Sequence, residues 1–380
     1  MKKMILLLLI LLISLMLWLT WMVLQAQQTP ESTEPTTIPT TEPTLPPTTA
    51  PTVPPTTAPT VPPTTAPVLD GWHTEDGVDR YYKNGVPVSG WKELDGQLHY
   101  FFSDGTYASG WVQIDENRYY FDEQGLACTG WLELETKRYY LNEAGIMQIG
   151  WLELEGIRYY FKEDGVMARG CVEIDGVNNY FTADGAYFLL VNPWNYIPEG
   201  YNPDLVALDK YANYDNMRIS SVCYDDLMAM LKACRQEVSK AVVVSAYRTH
   251  EFQTKNYNRK VQYYLDRGYD QEEAERRAAR VVAVPGTSEH QLGLAVDIVD
   301  VNYPYLDDHQ ATMPAQKWLM EHCWEYGFVL RYPDDKTDVT GIIYEPWHYR
   351  YVGKELAAEL YELGLTVEEY MQKLTEEAAQ

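Results

Sequence analysis

Hydrophobic and polar positions follow four successive patterns along this 380-residue chain, and each predicts a different kind of structure. From Met4 to Leu24 every residue is uncharged and nearly all are apolar. About 21 residues at ~1.5 Å each match the roughly 30 Å hydrocarbon core of a bilayer. Residues 29–68 are almost entirely Thr and Pro, with the unit PTVPPTTA recurring, and have no apolar face to bury. Such a stretch favours extended polyproline II, and about forty residues reach on the order of 120 Å.

The third pattern has a period near twenty residues. Gly-Trp pairs stand at Gly71-Trp72, Gly90-Trp91, Gly110-Trp111, Gly130-Trp131 and Gly150-Trp151, with Gly170-Cys171 as a degenerate sixth. Aromatic runs such as Tyr119-Tyr120-Phe121 and Tyr159-Tyr160-Phe161 fall mid-unit, each followed by a turn glycine. Glycine-bounded aromatic pairs at this spacing predict short β-hairpins. One hairpin buries too little alone, so the units must stack into a solenoid over residues 69–190.

After Tyr187 the period ends. Leu227, Met230 and Leu231 lie at helical spacing and predict a helix from Tyr224 to Ser239. AVVVSA, from Ala241 to Ala246, reads as a buried strand, and a long helical stretch runs from Arg248 to about Ala283. Leu294 to Val299 predicts a strand and Met313 to Tyr326 a helix. Phe328 to Arg331 and Tyr349 to Tyr351 predict short strands. Helices separate strands without a regular βαβ rhythm, so residues 191–380 are expected to form an α+β domain.

Charge changes this picture in two places. Lys2 and Lys3 precede the first apolar run and the next cation is Arg80, which keeps the N-terminus cytoplasmic and sends the body outward. The expectation is a signal anchor over residues 1–28 in a single-pass membrane protein with an extracellular body. A cleaved signal peptide, giving a secreted, wall-associated protein, is the competing reading. The formal net charge of -25 argues against nucleic acid as a partner. Cys128, Cys171, Cys223, Cys234 and Cys323 show no close-spaced metal pair and read as buried free thiols.

Candidate chemistry gathers in three clusters of the last half. The first is Ser288-Glu289-His290-Gln291-Leu292-Gly293-Leu294-Ala295-Val296-Asp297. Strand parity puts Asp297 alone as a carboxylate on an apolar face, where it needs a partner, and a metal is one option. The second is Glu345-Pro346-Trp347-His348, where proline argues for a turn that lets Glu345 and His348 converge. Two imidazoles and one carboxylate, His290, His348 and Asp297, make the usual catalytic zinc arrangement, with Glu345 left over to activate water. Zinc fits this ligand mix best, while manganese and iron share the same residue types. The third is Ser245-Ala246-Tyr247-Arg248-Thr249, leading to Gln253. Here a strand end feeds a helix start, and Arg248 is suited to hold a substrate carboxylate or a polarised carbonyl.

The repeats resemble the wall-binding units of choline-binding proteins and of glucan-binding and clostridial toxin proteins. In the choline-binding version a second Trp precedes the Tyr pair. That place holds His99, Arg118, Arg138, Arg158 and Asn179 here, which points to a cell-wall glycan or polymer as the ligand. The clusters SAYRTHEFQ, SEHQLGLAVD and EPWH, in this order, resemble the VanY-type D-alanyl-D-alanine carboxypeptidases and related L,D-carboxypeptidases, as does the lead-in VNPWN followed by Ile197-Pro198. That resemblance implies Zn²⁺ held by His290, Asp297 and His348, with Glu345 as general base. Arg248 would stabilise the oxyanion or hold the substrate, and Gln253 and Ser288 would touch the terminal residue. It implies peptidoglycan stem peptides as substrate and removal of a C-terminal D-alanine. The alternatives are an L,D-carboxypeptidase acting on tetrapeptide stems, and a non-catalytic wall-binding adhesin.

Overall fold

The computed structural model describes residues 68–379. The expected membrane segment at 1–28 and the Thr/Pro-rich linker, Val68 apart, lie outside the described residues. Among those described, no helix is long and apolar enough to cross a membrane.

The twenty-residue period becomes a row of antiparallel hairpins: β1 (Gly71–Glu75) with β2 (Val78–Lys83), β4 (Gly90–Leu94) with β5 (Gln97–Phe101), β6 (Gly110–Ile114) with β7 (Asn117–Phe121), β8 (Gly130–Leu134) with β9 (Lys137–Leu141), β10 (Gly150–Leu154) with β11 (Ile157–Phe161), and β12 (Gly170–Ile174) with β13 (Val177–Phe181). Two-residue strands, β3 (Val86–Pro87) and β14 (Tyr187–Phe188), add to the first and last hairpins. Asp76-Gly77 and Asp175-Gly176 have positive φ at both turn residues, the geometry that matches strand twist in a two-residue hairpin. Each unit's Trp sits edge-on to the Tyr opposite it and to an aromatic of the following unit, as Trp131 does to Tyr140 and Tyr159. Phe121, Leu141, Phe161 and Phe181 are fully buried in the same stack. Glycine is required where units meet: a Cβ on Gly165 would lie 2.3 Å from the sulfur of Met147 in the preceding unit.

The second half is α+β. Strands β15 (Leu205–Ala207) and β16 (Arg218–Ser220) form a ribbon before helix α1 (Ser221–Glu237). A four-stranded antiparallel sheet follows, in the order β17 (Ala241–Ser245), β18 (Ala295–Asp300), β20 (His348–Tyr351), β19 (Phe328–Leu330). Leu227, Met230 and Leu231 of α1 and Trp318 and Leu319 of α4 (Pro314–His322) pack on Val243, Val296, Ile298 and Tyr349. The predicted helical run after Arg248 is two packed helices instead of one, α2 (His250–Leu265) and α3 (Gln271–Ala279). Gly268, at φ +89, breaks the run, and Asp270 caps α3 by accepting from the Glu273 N–H. The predicted helix to Tyr326 ends at His322 and tightens into a 3₁₀ turn, Cys323–Tyr326, closed by left-handed Gly327. All five cysteines are free.

A one-turn helix, α5 (Thr337–Thr340), precedes β20, and α6 (Lys354–Leu363) and α7 (Val367–Ala378) end the fold. Helix α7 lies against the last hairpin: Thr375 Oγ1 accepts from the Cys171 N–H at 2.8 Å. Leu356, Leu360, Tyr370, Met371 and Leu374 share a core with Phe188 and Leu190. A Cβ on Gly170 would fall 2.5 Å from the Thr375 nitrogen, whereas one on Gly150, at the matching place one unit earlier, meets nothing within 4 Å. Gly150→Ala therefore costs only left-handed backbone strain, about 1–2 kcal/mol. Gly170→Ala adds a clash with helix backbone, so its thermal midpoint should fall several degrees further, as differential scanning calorimetry of the two variants would test.

Candidate metal centre

Sheet register builds the centre. Asp297 on β18 lies opposite Ser245 on β17 and opposite His348 on β20, so three neighbouring strands aim one side chain each at the same spot. Val296 and Ile298 alternate into the core on the other face. His290 arrives from the 3₁₀ turn Glu289–Leu292, which ends on Gly293 at φ +73 just before β18. The turn at Pro346 and Trp347 is closed by the His348 N–H donating to the Glu345 carbonyl at 3.1 Å, which brings the Glu345 carboxylate to 3.9 Å from His348 Nδ1. His290, Asp297 and His348 are all buried, and their potential ligand atoms lie within 4.8 Å of one another.

The donor set fits a divalent cation of the zinc type. The Asp297 carboxylate faces His290 Nε2 at 3.2 Å through one oxygen and His348 Nδ1 at 3.0 Å through the other. Each imidazole is fixed from behind: His290 donates from Nδ1 to the Ala246 carbonyl at 2.8 Å, and His348 Nε2 lies 3.4 Å from Glu289. A ring nitrogen held on a carbonyl or carboxylate leaves the other free as a ligand, the usual outer arrangement of a metal-binding histidine. The imidazole planes stand at 85° with centroids 4.8 Å apart.

Glu289 is the residue that the sequence reading passed over. Its buried carboxylate accepts from Arg331 Nε at 2.8 Å and Arg350 Nη1 at 3.0 Å while facing His348. Arg331 continues to Glu368 of α7, at 2.8 and 2.5 Å, and Glu368 also accepts from Asn192 at 3.0 Å. Arg350 donates to the Leu189 carbonyl at 3.1 Å. The available signal was a pair of arginines, Arg331 and Arg350, closing or interrupting short apolar strands, since a buried guanidinium requires a buried carboxylate.

These contacts set the protonation states. Burial alone would raise the Asp297 carboxyl, but His290 and Arg248 outweigh it and hold it well below the usual range. Burial, then the Arg248 charge, push His290 down to about 4. For His348 burial acts downward too, yet its hydrogen bonds to the Asp297 and Glu289 carboxylates hold it up at about 9. Burial raises Glu345 to about 8 against the pull of His348.

A cavity of about 470 Å³ opens over the cluster, lined by Arg248, Ser288, Glu289, His290, Asp297, Tyr332, Glu345, Trp347 and His348, with Asn256, Arg259 and Lys260 of α2 at its side. Of the residues expected at the site, six line this cavity: His290, Asp297, His348, Glu345, Arg248 and Ser288. Gln253 does not. It is fully buried, its amide donates to the Ala283 carbonyl at 2.7 Å, and its oxygen lies 3.4 Å from Arg248 Nη1. Gln253 thus braces Arg248 from behind. Arg248 itself donates to Asp297 at 2.6 Å and to Ser245 Oγ at 2.9 Å. His250 lies near Gln291, whereas neither His309, beside cavity-lining Asp308, nor His322 lines the cavity.

Two family models match the chain: "VanY: D-alanyl-D-alanine carboxypeptidase" over residues 216–354, and a choline-binding repeat over 88–125, 108–147 and 148–189. A D-alanyl-D-alanine carboxypeptidase of Enterococcus faecalis (strain ATCC 700802 / V583) is 43% identical over 183 residues, 48% of this chain and 65% of the relative. YodJ of Bacillus subtilis (strain 168) is 35% identical over 191 residues, 49% of this chain and 67% of the relative. The chain thus spans about two thirds of the length of these relatives. A crystal structure of a point mutant of the vancomycin resistance D,D-pentapeptidase VanY from a VanB-type resistance cassette, in complex with Zn(II), is 41% identical, with a TM-score of 0.43, covering 48% of this chain and 97% of that one.

Two outcomes follow for metal uptake. Loading the site displaces the proton that His348 keeps up to about pH 9 and favours loss of the one that Glu345 keeps up to about pH 8, so zinc affinity should rise about tenfold to a hundredfold per pH unit between roughly pH 6 and 8. Chelator competition across that range measures it, and a flat profile would contradict it. Glu289→Gln, which keeps the shape and removes the charge, should weaken zinc binding about 10- to 100-fold in the same assay.

Proposed function

The chain belongs to the VanY family of D-alanyl-D-alanine carboxypeptidases, and we propose that it is a zinc-dependent carboxypeptidase removing the C-terminal D-alanine from peptidoglycan stem peptides. The observation that carries this reading is the buried convergence of His290, Asp297 and His348 in one cavity with Glu345.

In this reading His290, His348 and Asp297 would hold the ion. A bound zinc ion supplies Lewis-acid polarisation of the scissile carbonyl and makes water in the cavity easier to deprotonate. Glu345 takes that proton on its carboxylate. Its proton affinity, raised by burial, suits it to hold the proton and then pass it to the leaving amine. A nearby cation lowers that affinity, so the carboxylate form is available at neutral pH. The Arg248 guanidinium, already oriented by Ser245 and Gln253, donates to the carbonyl oxygen as negative charge gathers there. Ser288, whose side chain makes no capping bond to its turn, contributes a hydroxyl to the terminal residue. Tyr332 and Trp347 are buried beside the cluster and keep bulk water out.

The repeats hold the enzyme at the wall polymer it trims. The apolar run from Met4 to Leu24 tethers the body outside the membrane through the Thr/Pro linker. An L,D bond in a tetrapeptide stem is the second substrate reading.

Alanine released from synthetic stem penta- and tetrapeptides, with and without a chelator, tests this function. Release from the pentapeptide that stops on chelation and returns with zinc is the expected result, and no release at any zinc level would refute it. Glu345→Ala should keep its zinc and lose about 10²- to 10⁴-fold in turnover.

A further inference from the structure

A larger concavity lies outside the metal centre, where the repeats meet the second half. A cleft of about 690 Å³ runs between the last hairpin and the segment Trp194–Pro198. A second cleft, of about 680 Å³, shares Asn178, Tyr180, Leu190, Trp194 and Asn195 with it and continues toward α7. A third, of about 390 Å³, shares Tyr196, Ile197 and Pro198. It reaches Tyr247, His250 and Gln291, the chain neighbours of Arg248 and His290 in the metal centre. Trp194 and Tyr196 therefore stand along a trough of connected clefts where the last hairpin meets the peptidase half.

The two rings are 62% and 63% exposed, and among the described residues no ring or cation stacks on either. The repeat tryptophans differ. Arg118, Arg138 and Arg158 each lie over the ring of Trp111, Trp131 and Trp151, at 4.7, 4.5 and 4.4 Å, and tyrosine edges close the remainder. A guanidinium from the same hairpin thus fills the position that an external cation would take. Free aromatic faces are found at the junction instead, beside neutral amides. On the trough wall Asn178 is exposed and Asn179 half-buried, and Asn179 donates to the Val177 carbonyl at 2.9 Å. In the main cleft the charged lining is Arg158, already stacked on Trp151 and Tyr187, with Asp175 and Glu199, while the second cleft adds Glu368, Glu369, Lys373 and Glu376 near α7, each engaged within the protein by Arg331, Lys336, Glu377 and Gln372 respectively. Flat rings that accept C–H faces, with neutral amides to pair hydroxyl and acetamido groups, suit an uncharged polyhydroxylated chain.

We propose that this junction trough binds a neutral, N-acetylated glycan strand, with Trp194 and Tyr196 as stacking platforms. This deepens the carboxypeptidase reading, because the glycan is the strand that carries the stem peptide. The trough sits where the repeats meet the peptidase half, so polymer-borne peptide is favoured over free peptide.

The test uses the whole chain and a β-1,4-linked N-acetylglucosamine tetramer as probe, followed by titration calorimetry. Binding by the native protein, weakened about tenfold or more in Trp194→Ala, is the expected result. Trp194 is largely exposed, so its removal leaves the core intact, and an unchanged thermal midpoint verifies this. Trp194→Ala should also raise the ratio of KM on glycan-linked pentapeptide to KM on free pentapeptide. The proposal is overturned if the tetramer does not bind the native protein, or if it binds Trp194→Ala equally well. The binding arm involves no hydrolysis, so its failure is separate from a failure to release alanine.

Discussion

One carboxylate, Asp297, constrains everything around it. It sits on the central part of an antiparallel sheet, almost without solvent, and faces two imidazoles and a guanidinium. A charge in so apolar a setting persists only if neighbouring groups neutralise it. The sheet register meets that demand by placing Ser245 and His348 directly across from it. The register shift between Val243 and Ser245 re-aims the end of β17, and Arg248 leaves that strand end to reach Asp297. The hydrophobic core on the reverse face, from α1 and α4, holds the register in place, because a slip of one residue would turn Asp297 into the core and Val296 into the site.

Around that centre lies a second layer of buried charge. Glu289 faces His348 and is held by Arg331 and Arg350, and Arg331 is held in turn by Glu368. Each member has a partner on more than one side, as interior charges require. The consequence is positional. The imidazole of His348 has its orientation fixed by a chain of contacts running to α7, a helix far along the sequence and docked on the last hairpin.

Much of this was legible in the residues. The Gly-Trp period, the hairpin turns and the alternation along Leu294 to Val299 follow from short-range rules of spacing and parity. The proline in Glu345-Pro346-Trp347-His348 signalled the turn that brings Glu345 and His348 together, which the structure realises through a short backbone bond. What was not legible depends on contacts distant in sequence. Nothing in the sequence assigns Glu289 a role; Arg331, just past β19, and Arg350 of β20 reach it from distant parts of the chain. Gln253 gave no sign that it would face inward and brace Arg248. Gly268 and Asp270 divide the helical run after Arg248, a break that hydrophobic spacing alone did not mark.

Gly170 differs from its counterparts in a way that bears on how such a chain can change over time. Gly90, Gly110, Gly130 and Gly150 border open space, while Gly170 is pressed against α7. Interior hairpins pack chiefly on their neighbours, Arg138 alone reaching two units on to the Asp184 carbonyl, so copies before it can be gained or lost by duplication and deletion without disturbing the metal centre. The terminal hairpin has no such freedom. Repeat number is open to drift, and the identity of the last repeat is fixed by the half that follows it.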